Sequence, residues 1–160
     1  MGAGYHLQWF SSINPAAYLF GIVFIVQSLL FLHAGVLKNR LQFSGPGHVN
    51  SLIGWIFILY AMLIYPLLNM LMGHHYPAMP VFGIAPCPTT IFTFGTLLLT
   101  RSRVPLHIII IPLLWSLVGV SAAVNLGIRE DIGLVIAGVT GAMLVIYSNR
   151  HKTNGQRTRL

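Results

Sequence analysis

Apolar residues run through this chain in long blocks separated by short polar joints, and few polar positions interrupt the blocks. A helix needs about 20 consecutive apolar residues to cross roughly 30 Å of hydrocarbon. The blocks at 16–37, 51–72, 88–100, 105–124 and 132–147 predict five helices on that scale, four at or near full length and one clearly short. The expected fold class is all-α: a polytopic membrane helix bundle of about five spans, formed by residues 1–160 as a single integral membrane domain. Asn14 followed by Pro15 is a helix start signal, a side-chain cap and then proline in the first turn. The preceding 1–12 is too short to span, and Tyr5, His6, Trp9 and Phe10 suit a membrane interface. No basic residue precedes the first block, which argues against a secretory signal peptide and for a retained anchor.

The third block breaks the pattern. Thirteen helical residues at 88–100 rise only about 20 Å, well short of the hydrocarbon thickness. If its basic end sits at the membrane surface, the segment before it must descend into the membrane without regular structure. Such backbone is tolerated only where protein or a wet cavity surrounds it. Residues 77–87, with Pro77, Pro80 and Pro86, are therefore expected to form a re-entrant or irregular segment. The alternative is a helix that starts before Pro86 and is kinked by Pro86 and Pro88.

Inside the other blocks, Pro66 and Pro112 each remove a helical N–H and free a carbonyl one turn earlier. Pro66-Leu67-Leu68 and Pro112-Leu113-Leu114 form a weak internal echo, hinting at two parallel helical hairpins. Gln27 reads as a side chain bonded to a neighbouring helix, and His33 as one lying near the interface. Gly21, Ser28 and Gly35 make one small-residue stripe; Gly119, Ala123 and Gly127 on the fourth block and Gly133, Ala137 and Gly141 on the fifth make two more. The last two predict a tight hairpin closed through those faces.

Charge sharpens this picture. The 160 residues are 56% hydrophobic and 7% charged, against roughly 25% charged in soluble domains. Nine Lys and Arg face two acids, for a formal charge of +7. Alternate joints carry Lys38 and Arg40, then Arg101 and Arg103, then Arg150, Lys152, Arg157 and Arg159. The opposite joints carry only Arg129, beside Glu130 and Asp131. This places the N-terminus outside and the basic tail, 148–160, in the cytoplasm, with its far end disordered. The cations read as topology determinants and anionic-lipid contacts, with no nucleic-acid partner.

Candidate chemistry gathers around the short helix. Its start points unpaired N–H groups into the membrane, where Cys87, Thr89 and Thr90 would contact a small anion or polar solute. Tyr76 and Phe82 would line the entry. Self-satisfaction of the threonines with the backbone is the structural alternative. His74 and His75, with Met70, Met72, Met79 and Cys87, form a soft-donor cluster for copper or zinc, although the spacing matches no established signature. Cys87 is the single cysteine, so no internal disulfide forms. No acid lies within any block, which removes carboxylate proton relays. No protease motif or phosphate loop occurs, so no catalytic residue is assigned.

The strings INPAAYLFG at 13–21 and YPAMPVFGIAPCPTTIFTFG at 76–95 resemble a family of uncharacterised bacterial multi-pass membrane proteins, and the resemblance extends over nearly the whole chain. It implies a bacterial inner (plasma) membrane location and supplies no activity, substrate or cofactor. Members carry further apolar sequence before the part matching Tyr5-His6, which implies that this chain is a shortened version. Three functions are open: binding or permeation of a small solute at the start of the third helix; a non-catalytic membrane subunit, self-associating or joined to another membrane protein; or a metal or redox protein using His74, His75 and Cys87.

Overall fold

The computed structural model describes residues 16–43, 49–73, 82–83, 85–125 and 132–157. These form six α-helices: α1 (Ala16–Phe31), α2 (Val49–Leu59), α3 (Tyr65–Leu71), α4 (Pro86–Leu98), α5 (His107–Asn125) and α6 (Ile132–Arg157). A π-helical stretch, Leu32–Leu37, continues α1, and another, Tyr60–Ile64, joins α2 to α3, so five helical rods result. Among the described residues the only β pairing is an isolated bridge between Phe43 and Thr100. Three rods are long and apolar enough to cross a membrane: Tyr18–Leu37, Asn50–Leu71 and Ile132–Lys152, of 20, 22 and 21 residues.

The short helix is the centre of the bundle. α4 has 13 residues and packs against α2, α5 and α6. Pro86, Pro88, Thr90, Ile91, Phe94, Gly95, Leu97 and Leu98 are all buried on it. α1 lies outermost and packs mainly on α5. Most of this short helix is thus covered by the rods packed around it. The outward faces of the long rods are themselves apolar, with Leu19, Leu63, Leu71 and Met143 each more than 60% exposed.

Glycine sets how close α4 comes to α2. A Cβ added at Gly95 would stand 2.8 Å from the Gly54 carbonyl oxygen, and one at Gly54 would stand 2.8 Å from the Gly95 oxygen. The two backbones touch, as small residues permit in helix pairs. α5 and α6 do pack as a hairpin, and Gly119 of the expected α5 stripe faces α6, but Gly133 and Gly141 of the expected α6 stripe do not face α5. Gly119 meets Leu134, and Gly138 meets Ser116. Gly133 instead lies under the Tyr60 hydroxyl, and Gly141 under the Phe94 ring. The α6 stripe is turned to α4 and to the π turn after α2, where the fully buried Phe94 ring takes the space beside Gly141. On α1 and its π-helical continuation the buried line is Gly21, Phe24, Gln27 and Ala34, while Ser28 is exposed and donates to Ile25 O at 2.7 Å. The stripe expected there lies at the edge of the packed face.

The two internal prolines are handled differently. Before Pro66 the helix widens, and Tyr65 N–H bonds the Tyr60 carbonyl five residues back. That π turn relieves the clash between the proline ring and the preceding turn. At Pro112 the carbonyl that loses its N–H is Ile108 O, and it accepts from Gln27 Nε2 of α1 at 2.9 Å. Gln27 therefore bonds a neighbouring helix, as its place in an apolar run predicts.

One end of the bundle is knitted by polar side chains. The Asn149 amide accepts from Val104 N–H at 3.0 Å and donates to Val104 O at 2.8 Å. Lys152 Nζ donates to Thr100 O at 2.9 Å and Ser102 O at 3.0 Å. Ser102 Oγ donates to Arg40 O and accepts Gln42 N–H, and Arg101 N–H donates to Gln42 O. These contacts need α6 to run past the apolar block. It continues to Arg157, so the stretch expected to be a tail from residue 148 is helical through that point. Asn39, at φ 48°, turns the chain out of the first rod, where the left-handed conformation suits asparagine.

The Asn14 cap, the aromatics of 1–12, the 45–47 turn, Gly127, residues 158–160, and most of the re-entrant segment (77–81 and 84) lie outside the described residues.

Candidate functional site

The start of α4 is where the predicted site residues fall. Pro86 and Cys87 belong to its first turn, not to an irregular segment, and the extended Ala85 (φ −83°, ψ 144°) precedes them. An α-helix leaves its first N–H groups without intrahelical acceptors. Here proline occupies the first and third helical positions, so two of those donors do not exist. The positive end of α4 is correspondingly less suited to an anion than a bare helix start.

Thr89 is engaged twice by its own chain. Its hydroxyl accepts Gly83 N–H at 3.0 Å and donates to Ala85 O at 2.6 Å. It thereby ties the turn before α4 to the helix, with Gly83 at φ 84° where a left-handed conformation favours glycine. Thr93 and Thr96 on the same helix, and Thr100 just past its end, donate likewise to Thr89 O, Thr93 O and Leu97 O at 2.8, 2.9 and 2.6 Å. Thr90 is buried, at 3% exposed. Phe82 stacks obliquely on Phe92 with ring centroids 4.3 Å apart. Cys87 is half-buried and packs against the cluster of Ala61, Tyr65, Ile91, Leu134 and Ala137. The structure thus gathers Cys87 with that core and Phe82 with α4. Tyr76, His74 and His75 lie outside the described residues. Met70 and Met72 are exposed at the end of α3, and no group of three metal-ligating side chains occurs among the described residues.

Three further residues belong to this region. Tyr65 is almost fully buried in the cluster that Cys87 packs against, and its ring meets Tyr60 edge-on at 6.3 Å. Asn69, one turn along α3, is 1% exposed. Its Nδ2 donates to Tyr65 O at 2.8 Å, and its Oδ1 meets no hydrogen-bond donor among the described residues. The donor bond settles the amide's orientation, so the orphan is the acceptor. A buried acceptor without a donor costs about 1–3 kcal/mol. Asn69 was visible in sequence as a polar residue in an apolar run; its burial was not.

No curated protein and no solved structure matches the chain. Over residues 1–156 it matches a family of unknown function, and on that extent the chain belongs to the DUF6064 family.

Proposed function

We propose that the protein is an integral membrane protein of the bacterial inner membrane, with its N-terminus outside and its C-terminus in the cytoplasm, that binds a small polar solute at the outer end of α4. Three rods of spanning length, and basic residues concentrated in alternate joints with only Arg129 in the opposite set, support the membrane reading. The observation that carries the solute reading is Asn69 Oδ1, buried and without a donor among the described residues. An acceptor held there at a cost favours a ligand that brings an N–H or O–H donor. The prolines at the start of α4 argue in the same direction, away from an anion.

In this reading Cys87 and Thr90 would contact the solute together with Asn69, and Tyr76 and Phe82 would line the entry. Thr89 positions the turn that leads into it. No catalytic residue, copper or zinc enters this reading. In the alternative of a non-catalytic subunit, the small-residue faces would be free for a partner; Gly54, Gly95, Gly119, Gly133, Gly138 and Gly141 are instead in contact within the chain.

The native thiol tests the site. In sealed right-side-out vesicles, Cys87 should react with a small, membrane-impermeant methanethiosulfonate, and Asn69→Leu should slow that reaction by drying the site. A thiol that stays unmodified until the protein is denatured would overturn the proposal.

A further inference from the structure

The knitted end of the bundle carries a second surface. Lys38, Arg40, Arg101, Arg103 and Arg150 are exposed there. Unlike Lys152, none of the five side chains makes a hydrogen bond or ion pair among the described residues. The chain's only acids, Glu130 and Asp131, fall in the connection between the far ends of α5 and α6. Among the described residues nothing acidic neutralises this end.

The cations are also held in place. Lys152 grips the carbonyls of Thr100 and Ser102, so it clamps the backbone that presents Arg101 and Arg103. Ser102 in turn bonds Arg40 O and Gln42 N–H, which fixes the segment carrying Arg40 against the same strip. Asn149 does the same for Val104 on behalf of α6, the helix that presents Arg150. Three segments distant in sequence thus converge, and one lysine is used to build the platform while five other cations face outward. Beneath it, the gap between Leu97, Val104, Val145 and Lys152 has no room for a water molecule, so whatever binds does so on the surface.

We propose that this platform binds the headgroups of anionic phospholipids in the cytoplasmic leaflet. This rests on the membrane reading above but not on the solute site. Exposed cations at the end of spanning-length rods meet the bilayer surface, where phosphate diesters are the abundant anions and each nearby Lys or Arg contributes to attraction. Arginine adds bidentate bonding to phosphate oxygens.

The test uses the full chain purified in neutral detergent, offered equal amounts of phosphatidylglycerol and phosphatidylcholine, with retained lipid read by native mass spectrometry. Phosphatidylglycerol should be retained in roughly tenfold excess or more. The combined Lys38→Gln, Arg40→Gln, Arg101→Gln and Arg103→Gln variant should lose that excess, whereas Arg129→Gln at the other end should keep it. Lys152→Met should weaken it although Lys152 itself is not free to bind lipid. Should the combined variant fail to fold, Arg101→Gln with Arg103→Gln alone should still lower the excess roughly fivefold or more. Equal retention of both lipids, loss on Arg129→Gln, or full displacement by millimolar inorganic phosphate would overturn the proposal. Release of the chain from native membranes by alkaline carbonate would overturn the membrane reading itself; retention there without lipid selectivity would overturn only this inference.

Discussion

Gln27 Nε2 donates at 2.9 Å to the carbonyl of Ile108, the acceptor that Pro112 leaves without its helical N–H. A side chain on the first rod thus completes the backbone of the fourth. Phe20 and Phe24 flank the same contact by meeting Trp115 edge-on, at 5.1 and 4.8 Å. A polar bond and an aromatic cluster thus tie the outermost helix to the stretch of α5 that the proline interrupts.

A double-mutant cycle reads that bond. Gln27→Leu should destabilise the protein by about 1 kcal/mol more when Pro112 is present than in a Pro112→Ala background, where a backbone N–H can serve Ile108 O. Thermal unfolding in detergent measures the difference. Equal costs in both backgrounds would show that Gln27 acts through packing alone.

Gly95→Ala should be among the most damaging single-methyl changes in the chain. Its Cβ would sit 2.8 Å from both the Gly54 oxygen and Ile58 Cγ1, and forced overpacking typically costs about 1–3 kcal/mol or more. Gly35→Ala provides the contrast, since the nearest atom to its Cβ, Leu41 Cδ1, is at 3.5 Å, an ordinary contact. Alanine there should be neutral or slightly stabilising by helix propensity. Unfolding temperatures of the two variants decide it, and a similar fall in both would disprove the backbone contact between α2 and α4.

Asn69→Leu should separate stability from binding. Removing a buried acceptor with no donor should leave the protein as stable as before or more so, by up to about 1 kcal/mol. The loss of the Asn69 donor to Tyr65 O is offset because that carbonyl already lies in a helix. Cys87 accessibility should fall in the same variant. A protein clearly destabilised by the change would mean that Oδ1 has a structural partner.

Thr89→Val should loosen the turn before α4, because one hydroxyl serves both Gly83 N–H and Ala85 O. Hydrogen exchange at residues 82–85 should accelerate, while Thr93→Val, which breaks a single bond to Thr89 O, should leave that turn protected. Equal protection in both variants would remove the positioning role given to Thr89.

Much of the architecture is legible in the one-dimensional pattern. Unbroken apolar length dictates helices, because backbone groups away from water must pair within their own segment. The short third block at 88–100 is found two residues earlier, at Pro86–Leu98 and with the same number of residues, and Gln27, polar in an apolar run, does bond another helix. What local sequence could not decide is which neighbour each face meets. The glycines of α6 are the right size for α5, yet Phe94 of α4 takes the place beside Gly141. Polar residues 148–157 carry no helical apolar stripe, yet remain helical because Asn149 and Lys152 bond backbone from a loop some fifty residues away. The burial of Asn69, on which the solute reading depends, is likewise a product of packing between rods. Period and length act within one segment, whereas the choice of contact partner depends on which rods fill the space around α4, and that is decided only when all five are assembled.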